Sequence, residues 1–336
     1  MTFHLEWYLA DNINMSKKTS QNGFLPLLSK MARRGLHNST RATIWKQIIQ
    51  NCFNSVTGPC YTMLQGNTQQ PLQQILQQHQ QLYSAFIQRL RDDITKRRLL
   101  SDAMVHNDVK RTSDDENYFV FEDLLDHVMI IFSRDVTVHR DCQVKPVSLI
   151  GVTDAELLSE KTSSVTNKEC YPPNGITPFE GISMVAAPFC YVGSKADDVY
   201  YLFRHFYTRY FCGLHVISSH QESIIPLCKC FEDILMESEP QLFYHMLQIQ
   251  VNPLEIAYSW IFQAFVGYLS TEQLFLLWDR IVGFDTLLIV PVFAASLFTF
   301  RSSFLLNATT KQDVIDVFSD FTIIKVVPLL QLFLFQ

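Results

Sequence analysis

Residues Ala257 to Phe284 read AYSWIFQAFVGYLSTEQLFLLWDRIVGF. In the first half, Ala257, Trp260, Ile261, Ala264, Phe265 and Tyr268 recur at the spacing of one helix face. Ser270, with Gln273 three residues on, has the pattern of a capping box and predicts a helix start. The second helix then buries Leu274, Leu277, Trp278 and Ile281 and stops at Gly283, a favoured C-terminal residue. Two aromatic-rich amphipathic helices joined by a polar turn form an αα-hairpin, which needs partners to cover its remaining faces.

The rest of the chain is suited to supply them. It has 336 residues, 48% of them hydrophobic and 13% aromatic, enough for one large domain or two small ones. Phenylalanine is abundant (26) and glycine scarce (11), which favours closely packed helices over a turn-rich β protein. The net charge of -6 comes from 33 acidic and 27 basic residues without a long block of either sign. No nucleic-acid partner is expected from that pattern.

The opening MTFHLEWYLADNINM lacks the basic, apolar and small-residue regions of a secretory signal. Between Asp285 and Arg301 the chain carries no charge, but the run is interrupted by Pro291. It is shorter than the roughly 20 residues that a membrane span requires, so it reads as a buried helix. The eight cysteines include one close pair, Cys228-Lys-Cys230, without the two-residue gap or second pair of a zinc site. They read as reduced thiols, mostly buried, and neither metal nor cofactor is expected.

Residues 1–28 read as a lead-in segment, mobile or the remnant of something longer. At RRGLHNSTRATIWKQIIQ, Asn38 or Ser39 caps a helix with Ile44, Trp45, Ile48 and Ile49 inward. Glutamine dominates Leu64 to Arg89, yet Leu72, Ile75, Leu76, Tyr83, Phe86, Ile87 and Leu90 fall on one stripe, predicting a helix with a wet glutamine face. The basic run Lys96-Arg97-Arg98 follows and reads as a solvated face. Residues 107–117, NDVKRTSDDEN, read as a polar, mobile loop. Phe121, Leu124, Leu125, Val128, Ile131 and Phe132 then mark a helix that stops in SRDVTVHRDCQVKP, and residues 142–178 are the least helical part. ADDVYYLFRHFYTRYF turns Val199, Leu202, Phe203, Phe206 and Tyr210 inward, and further helices are expected at 222–237 and 239–250. No stretch alternates as a strand does, so the chain reads as all-α.

Four of these motifs, in this order, resemble the TBC domain of Rab GTPase-activating proteins. ARRGLHNSTRATIWK is similar to that domain's opening, with Arg41 and Trp45 in place. ADDVYYLFRHF resembles its acidic-aromatic middle helix, and EPQLFYHM (Glu239 to Met246) its Asp-Pro-x-Leu-x-x-His-Leu segment. The hairpin resembles its closing signature. The resemblance covers roughly residues 30–330 and implies a single all-α domain in two helical lobes, here residues 29–336. It also implies a Rab-family small GTPase as the partner, with GTP and Mg belonging to that GTPase.

A GTPase hydrolyses GTP slowly because charge on the transferred phosphoryl group is not neutralised; an arginine inserted in trans is worth roughly 10³–10⁵ in rate. In the family, such an arginine comes from Ile-x-x-Asp-x-x-Arg and a glutamine from Tyr-x-Gln-Gly. The first motif falls on Phe132 to Val138, with Asp135 in place and Val138 at the arginine position. The second falls on Pro178-Phe179-Glu180-Gly181, with Glu180 for the glutamine. Val138 neither hydrogen-bonds nor carries charge, and the carboxylate of Glu180 repels a γ-phosphate.

Arg140 is the candidate for a displaced arginine, provided residues near it form a loop. A two-residue shift on a helix would turn the side chain by about 200°.

The expected function is regulation of Rab GTPases, with weak or atypical activation of GTP hydrolysis. The alternative is a catalytically inactive Rab-binding effector or scaffold in membrane trafficking. An enzyme with its own turnover has no nucleophile motif, phosphate-cradling loop or metal spacing to support it. The expected location is cytoplasmic, with peripheral recruitment to membranes through the GTPase.

Overall fold

The computed structural model describes residue 18 and residues 24–53, 85–94, 99–144, 172–193 and 195–335. Every regular element among them is helical. In chain order these are α1 (Leu25–Arg34), α2 (Asn38–Phe53), α3 (85–94), α4 (Leu100–Ser113), α5 (Glu122–Arg134), α6 (Thr137–Asp141), α7 (Ile182–Ala186) and α8 (Ala196–Phe206). They continue as α9 (Ile224–Ser238), α10 (Pro240–Gln248), α11 (Pro253–Phe262), α12 (Thr271–Phe284), α13 (Ile289–Leu305), α14 (Lys311–Val317) and α15 (Val326–Leu334). Two compact units result, one formed by residues 1–58 and 213–336 and the other by 59–212.

In the first unit the hairpin is α11 and α12. Trp260 is buried and meets Phe318, Phe321, Phe298 and Phe265 at ring-centre distances of 4.9, 5.4, 5.8 and 6.0 Å. Burying side chains of this size contributes about 1.5–3 kcal/mol each, which makes the hairpin a wall of the core.

The first helix ends at Phe262, earlier than the apolar spacing suggests. Ala264 and Phe265 adopt positive φ (46° and 66°), a left-handed turn that costs non-glycine residues energy. The Phe265 amide donates to the Trp260 carbonyl at 2.8 Å, and the Trp278 indole donates to the Ala264 carbonyl at 3.1 Å. The Trp278 ring therefore helps to hold the turn as well as fill the core.

Two details of the second hairpin helix also differ from expectation. Ser270 precedes it without a side-chain cap, and the Gln273 side-chain Oε1 instead accepts the Val326 amide at 2.9 Å. Gly283 does not stop the helix, which continues to Phe284 before Asp285 turns left-handed. Gly283 is needed for close approach, since a Cβ there would lie 2.6 Å from the Arg33 backbone nitrogen of α1.

In the second unit, Phe132 of α5 packs on Phe203 of α8 (4.9 Å) and Tyr207 (5.0 Å), and Phe189 packs on Phe206 (5.0 Å). The predicted loop at 107–117 is corrected here. Residues up to Ser113 belong to α4, with Val105, Asp108, Val109, Thr112 and Ser113 turned inward. Part of the polarity that suggested a loop belongs to Asp108 and Ser113, whose side chains make buried hydrogen bonds, and much of the rest is the exposed face of the helix. Of the glutamine-rich stripe, Phe86, Ile87 and Leu90 lie in α3, with Ile87 fully buried; the earlier positions and Lys96-Arg97-Arg98 lie outside the described residues.

No described helix is long and apolar enough to cross a membrane. The uncharged segment forms α13, with Pro291 in its first turn, where its missing N–H leaves no intrahelical bond unmade. Cys142, Cys190, Cys212 and Cys228 are free and buried, and Cys230 is free and partly exposed.

Candidate functional site

The site residues anticipated from the sequence all lie in the second unit, where α5 breaks at Asp135. This residue has extended backbone (φ −76°, ψ 93°), and the chain re-enters a helix two residues later as α6. Asp135 is fully buried. It accepts from the Thr137 amide at 2.9 Å, the Thr137 hydroxyl at 2.5 Å, the Tyr200 hydroxyl at 2.5 Å and Arg204 Nε at 2.7 Å. Burial pushes its carboxyl up, but the Arg204 charge and the bonds from Thr137, Tyr200 and Arg204 outweigh that, holding it below the usual carboxylate range.

Arg204 also reaches the other end of α6. Its Nη2 donates to the Thr137 hydroxyl at 2.5 Å and to Asp141 Oδ2 at 2.6 Å. One buried guanidinium from α8 thus grips both termini of the short helix.

The expectation that helix periodicity stops within 133–146 does not include α6, and this helix decides where Val138 and Arg140 face. Val138 is fully buried, whereas the Arg140 side chain is 52% exposed and lies 3.4 Å from Asp141. The loop that Arg140 required as a displaced arginine is therefore absent at 137–141. Arg140 and the 65%-exposed Val136 share the outer face, four residues apart.

The Glu180 segment is attached to the same unit. The Asn174 amide donates to the Ser133 carbonyl at 3.3 Å, and Gly175 abuts His139 so closely that a Cβ would lie 2.7 Å from the His139 Cβ and 2.9 Å from its ring. Gly181 has φ 95°, a left-handed conformation suited to glycine, and leads into α7. Its amide donates to Asp108 Oδ1 at 2.7 Å, and the Ser183 amide donates to Asp108 Oδ2 at 2.8 Å. Glu180 itself is exposed and pairs with Arg111 at 2.6 Å.

Toward the other end of α4, Asp102, Ala103 and His106 join Asp123, Asp126 and His127 in lining a groove of about 680 Å³. None of these six was singled out in the sequence. Arg134 is also committed elsewhere, donating from Nη1 and Nη2 to the two Asp102 oxygens, each at 2.8 Å.

This geometry can be set beside known proteins. Residues 177–306 match the Rab-GTPase-TBC domain family. Human TBC1 domain family member 19 is 41% identical over 251 residues, which is 74% of this chain and 47% of the relative. The chain carries a TBC-type domain.

A Dictyostelium discoideum TBC domain-containing protein kinase-like protein is 24% identical over 139 residues, 41% of this chain and 13% of the relative. The chain thus spans less than half the length of the curated relatives it matches. Two solved structures share the TBC fold. The Chlamydomonas flagellar RabGAP TBC domain has a TM-score of 0.62 at 11% identity, covering 98% of this chain and 92% of that one. The Ypt/Rab-GAP domain of Gyp1p has a TM-score of 0.58 at 12% identity, covering 91% and 89%.

Within this TBC chain, sequence reasoning passed over Asp108, Arg111 and Arg204. The first two were hidden in a stretch taken as loop. Arg204 sat in a recognised motif, but on a helix read only for its apolar face; its position four residues after Tyr200 was the available signal.

Proposed function

We propose that this chain regulates Rab-family small GTPases, binding the GTP-loaded partner through its TBC surface and stimulating hydrolysis only weakly. Residues 29–336 act as the TBC domain in this reading, and nucleotide and Mg belong to the partner. The observation that carries it is the full burial of Val138, at the position the resemblance assigns to an arginine. A buried valine cannot neutralise phosphoryl charge, a contribution of roughly 10³–10⁵ in rate for an arginine supplied in trans. Glu180, at the glutamine position, is engaged by Arg111, and Arg140 faces away from Val138.

A second reading is a catalytically silent effector or scaffold in vesicle trafficking. The outward pairing of Arg140 with Asp141 favours it, since that arginine is the remaining candidate near the motif. In either reading the protein works in the cytoplasm and reaches membranes peripherally, through a lipidated GTPase. Single-turnover GTP hydrolysis by a panel of Rab-family GTPases, with and without the chain, tests both. Modest acceleration supports the first reading and unchanged hydrolysis with retained binding the second. Acceleration by several orders of magnitude refutes both.

A further inference from the structure

The Arg111–Glu180 pair gives a role to a residue outside the family motifs. Glu180 puts a carboxylate where the resemblance has a neutral amide, and that charge opposes the phosphates of a bound nucleotide. Arg111 is placed against it by the way α4 is built. Asp108 and Arg111 are three residues apart and so share a helix face. Asp108 holds the backbone of the turn through the Gly181 and Ser183 amides, at 2.7 and 2.8 Å. Arg111 holds its side chain, with Nη1 at 2.6 Å from Glu180 Oε1.

The turn is therefore docked on α4 before any partner arrives. Arg111 and Glu180 remain 64% and 76% exposed at the side chain, so the pair sits at the surface.

We propose that Arg111 is a specificity-determining residue of the partner site. It cancels the Glu180 charge and lets this edge accept a GTPase in its triphosphate state. The inference rests on the Rab-binding reading and adds to it a requirement for a particular cation. Two charges in contact largely cancel at a distance. Removal of the guanidinium leaves a bare anion whose repulsion grows with phosphate charge and weakens with salt.

The test uses the full 336-residue chain and a panel of Rab-family GTPases loaded with either a non-hydrolysable GTP analogue or GDP. Arg111→Ala is expected to weaken binding of the analogue-loaded GTPase by roughly three- to tenfold at low ionic strength, chiefly through slower association. Binding of the GDP-loaded form should change by less than about twofold, because it lacks the γ-phosphate. Adding Glu180→Gln to Arg111→Ala should restore affinity, and Arg111→Lys should retain it.

A purely structural role for Arg111 predicts equal losses in both nucleotide states and no rescue by Glu180→Gln. Either result, or unaltered binding by Arg111→Ala, overturns the proposal while leaving Rab binding intact. If no member of the panel binds the wild-type chain, the Rab-binding reading falls and this inference falls with it.

Discussion

Arg41 and Asp279, 238 positions apart, form a buried two-pronged ion pair in which Nε meets Oδ1 and Nη2 meets Oδ2, each at 3.1 Å. The same carboxylate accepts the Trp45 indole N–H and the Leu36 amide, both at 2.8 Å. Asp279 thereby joins α12 to the beginning of α2 and to the turn before it. Asp279→Ala removes four acceptor contacts and leaves a buried guanidinium without its carboxylate. The expected cost is about 3–5 kcal/mol in denaturant-induced unfolding. Trp45→Phe, which deletes one donor and keeps most of the ring, should cost less. An equal loss for both variants would contradict a role for the carboxylate as the hub.

The Arg204 network makes a comparable prediction with a pH signature. Asp135 titrates below its ordinary value in the folded protein, so the unfolded chain binds the extra proton as pH falls. Its contribution is present above about pH 4 and is lost as pH drops through the folded value. Arg204→Met strands Asp135 and should cost about 3–5 kcal/mol at pH 7. That deficit should shrink toward pH 3, where a protonated Asp135 no longer needs the cation. Unfolding curves at the two pH values test this, and a deficit independent of pH would show that packing dominates.

These two pairs show what a single sequence makes readable. Arg41, Trp45 and Asp279 fall in motifs whose periodicity also marks helices, so fold class and helix positions emerge from apolar spacing. Trp260 and Ile261 face the core as that spacing requires, and Phe265 reaches it from the turn that follows. The turn between α11 and α12 begins earlier than the spacing suggests, because its left-handed residues are alanine and phenylalanine, not glycine. The 107–113 segment was missed for a related reason. Asp108 and Thr112 are polar by composition, and only the packed structure reveals that they point inward. At the candidate site, Asp135, Val138 and Glu180 could be located by motif. Their facing could not, because it depends on the five-residue helix α6 and on Arg204 from a distant part of the chain.

His215 offers a separate test, in the first unit. It packs on Phe262 at 4.9 Å, and burial pushes its imidazole down to about 3, against a smaller upward effect of the Phe262 backbone. The folded protein keeps this ring neutral while the unfolded chain protonates it below its ordinary value of 6.5. Stability is thus fully present above that value and falls as the pH is lowered toward the folded one. The loss by pH 5 from this group is about 2 kcal/mol. Urea unfolding at pH 8 and pH 5 should show His215→Gln losing less than wild type between them. Equal losses would remove His215 as the source.

The opposed facing of Val138 and Arg140 yields the most direct test of the chemistry. Installing an arginine at 138 asks a buried position to take a long charged side chain. Val138→Arg should therefore destabilise the domain by about 1–3 kcal/mol unless the side chain escapes along the surface. If it escapes, Val138→Arg combined with Glu180→Gln should raise single-turnover GTP hydrolysis by a responsive Rab at least about tenfold. That is a small part of what an arginine in trans supplies. Arg140→Ala should leave the hydrolysis rate within about twofold of wild type, because on a helix its side chain lies about 200° from position 138. Complete loss of stimulation in Arg140→Ala would reverse this assignment and make the outer face of α6, where Val136 and Arg140 sit together, the face that meets the nucleotide.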